Sequence, residues 1–514
     1  MREKFVRGYA SHSMNIRQQN WQLAENKEFD VVIIGGGING ATIYNRLCSR
    51  GYKVLLVDKG DFSCGTSQAS AMMIWGGLLY LKNLDFLSVF RFSKDRDDLI
   101  KRHEKEIDPK FFRYIPSCEW GRNKCLVYLA LYLYWILGNF RRQRPSFQKI
   151  YQELKFLCQK KAEGSFIYQE GFLKDSDSRF VLNWILTHQT DDSFALNYCL
   201  LDEAVYSAKD KKWAINVSDT LQNSGNSITA KIIVNCAGVW ADSVNEQFGI
   251  QTEYRHVFSK GVFIGLKRPE THDVPLIFEM GEHGDTLTFI PWGPISLWGP
   301  TETMEDSIEK GFSITPRDIH FLQYHALKNL ESSLAESEII SLRCGIRPLA
   351  VDKGFKADCY PLDISRYHKI AADMNRPWIT VYGGKISGCV SMAEEVAQKI
   401  ARQVQPSLEN LTGGIMPQCD KNMVSFPGLQ EKFPSIGWCV QNEFCCSFED
   451  YLRRRTNISQ WLPREGLGFQ NENKEHLRSL AQHLPDADGK TPDSYVDEYV
   501  ATVKERFDRL IAQI

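Results

Sequence analysis

The chain has 514 residues, 43% hydrophobic and 24% charged, with 62 basic residues against 63 acidic ones. Such a length exceeds one simple core, so two or three domains of an ordinary globular protein are expected. Near-zero net charge gives no bulk field for nucleic acid, and fourteen cysteines without a C-x-x-C pair argue against a metal site, a disulfide framework and an oxidising compartment.

Residues 1–28 are polar and lack the apolar core of a signal peptide, so a disordered or extended lead-in is expected, and with it a cytoplasmic location. Val31 to Ile34 is too short for a helix but suits a buried parallel strand. Gly35, Gly37 and Gly40 follow at G-x-G-x-x-G spacing, enclosing Ile38 and Asn39. The first glycine allows a tight turn, the second admits a pyrophosphate, and the third lets helix pack on strand. Amides opening the helix Ala41 to Arg50 would face that anion. Lys53 to Val57 reads as a second strand ending at Asp58, where an acid accepts ribose hydroxyls, beside Lys59. A glycine triplet alone is weak; strand, glycines, helix, strand and acid in register identify a dinucleotide site.

Thr66, Ser67 and Ser70, then Trp75, Gly76 and Gly77, suit a second contact with a long cofactor reaching towards a flavin ring. A mixed insert covers about 82–200. Within it Leu126 to Leu137 is apolar, with Arg122 and Lys124 before it and Arg141, Arg142 and Arg144 after it. Twelve residues make about 18 Å of helix, too short to span a bilayer. Two readings stay open: a helix lying peripherally in a membrane surface, or one packed on the substrate domain or on a second copy in a homodimer. Val234 to Ala241 is a third strand running into Cys236, Ala237 and Gly238. Alternating runs over 254–350 predict an antiparallel sheet above the cofactor. Tyr382 leads into Gly383-Gly384-Lys385-Ile386-Ser387 and a helix Cys389 to Gln403. Residues 29–410 thus form a dinucleotide domain with a discontinuous substrate domain (about 82–200 and 254–350). Past Gly413-Gly414 an irregular linker over 415–440 and a small helical domain (415–514) are expected, its last helix striped by Val496, Tyr499, Val503, Phe507 and Leu510. The expected fold class is α/β, Rossmann-like, with those two additions.

These segments, with Phe289-Ile290-Pro291-Trp292, Gly345-Ile346-Arg347-Pro348-Leu349 and Glu449 to Thr456, resemble the FAD-dependent glycerol-3-phosphate dehydrogenase family of D-amino-acid-oxidase-type flavoproteins. The resemblance implies FAD and adds Val205 to the cofactor contacts. It implies hydride transfer from a secondary alcohol such as glycerol 3-phosphate or a related small anionic substrate, with electrons passed to quinone or oxygen. Arg347 would grip the anion, Lys385 would stand at the substrate or flavin edge, and Tyr80 would hydrogen-bond substrate.

This chain departs from the family where Trp75 replaces a histidine, Leu79 an arginine, Met72 a lysine and Phe263 a candidate base. Ser387-Gly388 stands where paired threonines are usual. Each change except that last runs from polar to apolar, which predicts a larger, more apolar substrate; Arg343 either compensates or points away. The alternatives are a flavoenzyme of hydroxy or amino acids, and a flavin-binding protein without turnover.

Overall fold

A computed structural model describes residues 14–116, 124–149, 154–158, 164–280, 285–355, 361–373, 375–408, 422–485 and 489–514. Residues 1–13, Arg122, Gly413-Gly414 and the first part of the expected linker lie outside them.

The first apolar run is the strand Glu28–Ile34, flanked in parallel by Val54–Val57 and Ser224–Asn235; the latter pairs in parallel with Trp378–Tyr382. Side chains alternate across a strand. Val31 and Ile33 therefore pack with Ala41, Tyr44 and Leu47 of the helix Ile38–Ser49 and with Val396 and Ile400 of Cys389–Ala401. Val32 faces the other way, against Ile215 and Val217 of Lys212–Asp219. Burial on both faces explains the unbroken apolar run.

Tyr254–Lys267 and Ser341–Asp352 run antiparallel along most of their length and anchor a second, ten-stranded sheet. Their register sets Ser259 opposite Arg347, Gly261 opposite Gly345 and Phe263 opposite Arg343. Ile107–Ile115 and Gly164–Leu173 enter the same sheet, so both inserted stretches meet in one layer.

Two expectations need correction. The lead-in is helical over Ile16–Ala24: Asn15 and Gln18 form a reciprocal capping box, and Arg17 is buried against Asp219 at 2.7 Å. That cap-and-partner spacing is a legible start signal. The expected linker holds a two-stranded sheet, Met423–Ser425 with Lys432–Pro434, and the helix Ile436–Asn442. The C-terminal stripe is buried as its spacing predicts, with Val496, Tyr499, Val503 and Phe507 in one apolar cluster. The helix Lys124–Leu137 buries Val127, Leu131 and Tyr134 and exposes Leu126 and Leu129; among the described residues no helix is long and apolar enough to cross a membrane.

Candidate active site

A cavity of about 430 Å³ opens at the carboxyl ends of the parallel strands. Of the expected cofactor contacts, Gly35, Gly37, Ile38, Asn39, Asp58, Lys59, Thr66, Ser67, Cys236, Ala237, Gly238 and Gly384 line it. The glycines are required by space. Gly35 has φ +103°, and a Cβ there would stand 2.4 Å from the Cys236 carbonyl; a Cβ on Gly40 would meet the Gly35 carbonyl at 1.9 Å. The helix behind them begins at Gly37 without a side-chain cap. Its Ile38 amide donates to Ser67 Oγ at 3.0 Å, which ties the distant serine to the helix start. Asp58 accepts from the Gly36 amide at 2.6 Å and the Gly60 amide at 2.9 Å. Burial pushes its carboxyl up to about 6, because those two donors offset only part of the desolvation.

Several expected contacts lie elsewhere. Val205 is 67% exposed and outside the lining; Cys199, Leu200 and Leu201 of the same strand face the cavity, and a bulge between Leu201 and Glu203 separates them from Val205. Gly76 is packed against Arg96, Ser93 and Tyr134, its amide directed to Glu170. Gly77 turns left-handed into Leu78–Asn83, and Trp75 packs on the apolar cluster behind. Ser70 gives its amide to Asp177 at 2.8 Å. Ile386 and Ser387 form the turn that opens Cys389–Ala401.

The far end of the cavity reaches Pro348, Gly383 and Gly384, the chain neighbours of Arg347 and Lys385. Here the structure supplies groups that the sequence did not mark. Arg347 lies 3.1 Å and Arg366 3.0 Å from one carboxylate oxygen of Glu302, whose other oxygen accepts from the Ser259 hydroxyl. Burial would raise the Glu302 carboxyl, but Arg347 and Arg366 outweigh it and hold it below the ordinary value. Two guanidinium groups thus share one acid. Lys385 Nζ sits 4.4 Å from the Tyr80 ring centroid and 4.6 Å from that of Phe92, and those two rings stack at 5.5 Å. Burial, then the nearby Arg366 charge, pushes the Lys385 amine well below its normal range. The Tyr80 hydroxyl is buried without a hydrogen-bond partner, and burial pushes it up to about 12, so it remains protonated.

Asp242 and His256 hold the Lys385 turn. His256 Nε2 accepts from the Gly383 amide at 3.1 Å, which leaves the ring proton on Nδ1 to donate to Asp242 at 2.8 Å. Neither residue stands in a motif, and only the folded sheet brings them to Gly383.

Two of the replaced positions, Met72 and Phe263, do not widen the site as expected. Met72, at φ +56°, and Phe263 are 0% and 2% exposed and belong to one core cluster with Ile74, Tyr168 and Ile290. Their apolar character is consumed by packing. Arg343 points away from Arg347: it pairs with Asp177 and lies over Trp292 at 5.2 Å. Lys260, from the opposite face of its strand, bridges Glu305 at 2.9 Å and Asp318 at 3.0 Å. Among the described residues no cluster of ligands for a metal is present.

The glycine cradle, the helix start at Gly37 and the space at the strand ends, lined from Asp58 to Gly384, fit a dinucleotide. A model of the family described as "FAD dependent oxidoreductase" (DAO) matches residues 30–166 and 196–385, more than half of the chain. Aerobic glycerol-3-phosphate dehydrogenase of Staphylococcus epidermidis is 27% identical over 489 residues, covering 93% of this chain and 84% of that protein. The enzyme of the same name from Staphylococcus haemolyticus is 27% identical over 400 residues, 74% of this chain and 68% of its own. The solved glycerol-3-phosphate dehydrogenase of Bacillus halodurans, complexed with FAD, shares the fold at TM-score 0.70 and 19% identity, covering 95% of this chain and 97% of that one. L-alpha-glycerophosphate oxidase of Mycoplasma pneumoniae, with FAD bound, superposes at TM-score 0.58 and 16% identity over 76% of this chain and 97% of its own. With its cofactor Gly35, Gly37 and Gly40 in place, this chain belongs to the FAD-dependent oxidoreductase family and uses FAD.

Proposed function

We propose that the chain oxidises a small secondary alcohol bearing an anionic group, with glycerol 3-phosphate the first candidate, and passes the electrons to quinone or oxygen. The observation that carries this reading is the sharing of Glu302 by Arg347 and Arg366 at the end of the FAD cavity. Two half-buried guanidinium groups converge on one acid there, a cationic setting that suits an incoming anion. The relatives named as glycerol-3-phosphate dehydrogenases favour a phosphate ester.

FAD, when bound, accepts the hydride from the substrate carbon. This chain's residues do the rest. Arg347 and Arg366 orient the anion, and the Tyr80 hydroxyl donates to a substrate oxygen. Lys385, whose place beside Arg366 shifts it towards the neutral amine, takes the hydroxyl proton at Nζ. His256 and Asp242 keep the Gly383-Gly384 turn, and therefore Lys385, in register.

The paired guanidinium groups also favour a second reading, because such forks suit the carboxylate of a hydroxy or amino acid as well as a phosphate ester. Anaerobic bleaching of the bound flavin separates the two. Glycerol 3-phosphate bleaching it faster than hydroxy or amino acids is the expected result. Bleaching by the acids alone transfers the assignment to the second reading, and none by any of them leaves a flavin-binding protein without turnover.

The membrane contact belongs to the same proposal. Leu126, Leu129 and Ile136 on one helix and Leu84, Leu87 and Phe90 near the start of its neighbour are exposed, with Arg141 and Arg144 beyond the first helix's end. Apolar side chains beside arginines suit an anionic lipid surface. Leu129, 64% exposed, is the position to probe; Leu131 is 1% exposed, so a charge there would enter the core. Leu129→Glu is expected to reduce co-sedimentation with anionic vesicles several-fold, and equal pelleting removes this helix from consideration.

A further inference from the structure

We propose that the C-terminal helical domain latches the loop that walls the FAD cavity, with Asp61, Arg454 and Arg455 as positioning residues for the cofactor. The loop between Asp58 and Gln68 lines the cavity through Gly60, Ser63, Cys64, Gly65 and Thr66. It is made of turns and a single 3-10 turn, so it has no ladder of its own to set its shape. Two of its side chains, Asp61 and Phe62, are buried at 1% exposure and lie outside the lining.

Asp61 receives Arg454 Nε at 2.6 Å, both terminal nitrogens of Arg455 at 2.6 and 2.7 Å, and Asn197 Nδ2 at 2.9 Å. Arg453 donates to the Gln68 backbone carbonyl and Arg454 to the Gln68 side chain at 3.3 Å, which fixes the far end of the loop. The three arginines lie in one π-helical turn, Asp450–Arg455. Their side chains also bond within the C-terminal domain: Arg454 to Asp450 at 2.7 Å, Arg455 to the Glu443 carbonyl at 2.7 Å. Phe62 completes the clasp. Its ring meets Phe444 edge-on at 5.3 Å, and it lies so near Gly36 that a Cβ there would stand 2.4 Å from it. The next residue, Ser63, gives its amide to the Gly36 carbonyl at 3.1 Å.

The loop is therefore held from behind by buried, directional, charge-assisted bonds and presents its front to the cofactor. Burial alone would raise the Asp61 carboxyl, but Arg455 and Arg454 outweigh it and hold the acid down at about 2, so the pair stays ionised at working pH. A buried pair of this kind is weak evidence for added stability, since desolvation offsets the attraction. Its fork geometry does impose one shape on a loop that otherwise has many. The C-terminal domain thus acts on the flavin at second hand, through a loop that Gly36 and Ser67 join to the phosphate-binding turn.

The test compares FAD affinity with fold stability. Holoenzyme variants Arg455→Gln and Asp61→Asn are stripped of flavin, then titrated with FAD by fluorescence, and the melting of each apoprotein is recorded. Each is expected to bind FAD at least about tenfold more weakly, with the double variant close to either single one, as for two ends of one contact. Arg455→Lys, which keeps the charge but loses the fork, should recover part of the affinity. Should these variants not fold, Arg453→Met gives the second measurement, because it deletes only the bond to the Gln68 carbonyl and removes an incompletely paired buried charge. It should weaken FAD about threefold to tenfold. Parental FAD affinity in folded variants, or a lowered apoprotein melting temperature without any change in affinity, would overturn the latch.

Discussion

Lys385→Met is expected to slow flavin reduction by about a hundredfold or more, within the range for losing a positioned acid or base, and to flatten its pH dependence. Methionine preserves the packing between Tyr80 and Phe92 and removes only the amine. The sign follows from the shift. Burial and then Arg366 hold the Lys385 amine well below its normal range, so it is protonated below that lowered pKa and neutral above it. Only the neutral amine accepts a proton, so the rate should climb as pH rises through the Lys385 pKa and then level. Lys385→Arg retains a cation but cannot serve as base, and should be as slow as the methionine variant. Stopped-flow reduction of FAD across pH measures all three. A methionine variant that keeps the parental pH profile would assign the proton to another acceptor.

Arg347→Ala should raise the KM for the anionic substrate about tenfold to a hundredfold, corresponding to the roughly 1.5–3 kcal/mol of one charged hydrogen-bond partner. The structure gives a specific reason for that size. Without Arg347, one of the two guanidinium groups that meet Glu302 is gone, and with it a charged partner for the proposed anion. Arg347→Lys restores the charge but not the fork, so its KM should lie between the two. FAD should stay bound in both variants, because Arg347 lies outside the residues lining the cofactor cavity. Equilibrium titration of FAD beside steady-state kinetics reads this directly. Joint loss of flavin and substrate use would make Arg347 a structural residue.

The cofactor half was legible because its signals are local. Val31 to Ile34, the glycine spacing and the strand ending at Asp58 lie within one short stretch, and each glycine answers a clash that any Cβ would create. The Asn15 and Gln18 capping box is equally local, and it starts a helix where a loose lead-in was expected. The substrate half was less legible. Arg347 and Lys385 carry motifs, but Glu302, Arg366, His256 and Asp242 carry none. The strand Tyr254–Lys267 brings His256 to the Gly383 turn, and its pairing with Ser341–Asp352 sets Ser259 and Arg347 side by side at Glu302.

The apolar replacements show the same divide. Sequence identifies Met72 and Phe263 as apolar and cannot say whether an apolar side chain faces a substrate or a core. Rotation about the backbone decides that: Met72 sits at positive φ, and both side chains are enclosed. Local spacing by itself determined the dinucleotide site and the sheet that holds it, since strand, turn and helix preferences act over a few residues; FAD and a role for Arg347 followed from the family resemblance. Tertiary structure alone decided which charges face one another, including the sharing of Glu302 and the arginine clasp on Asp61. Electrostatic and packing energies depend on distances between residues hundreds of positions apart, and only the folded sheets set those distances.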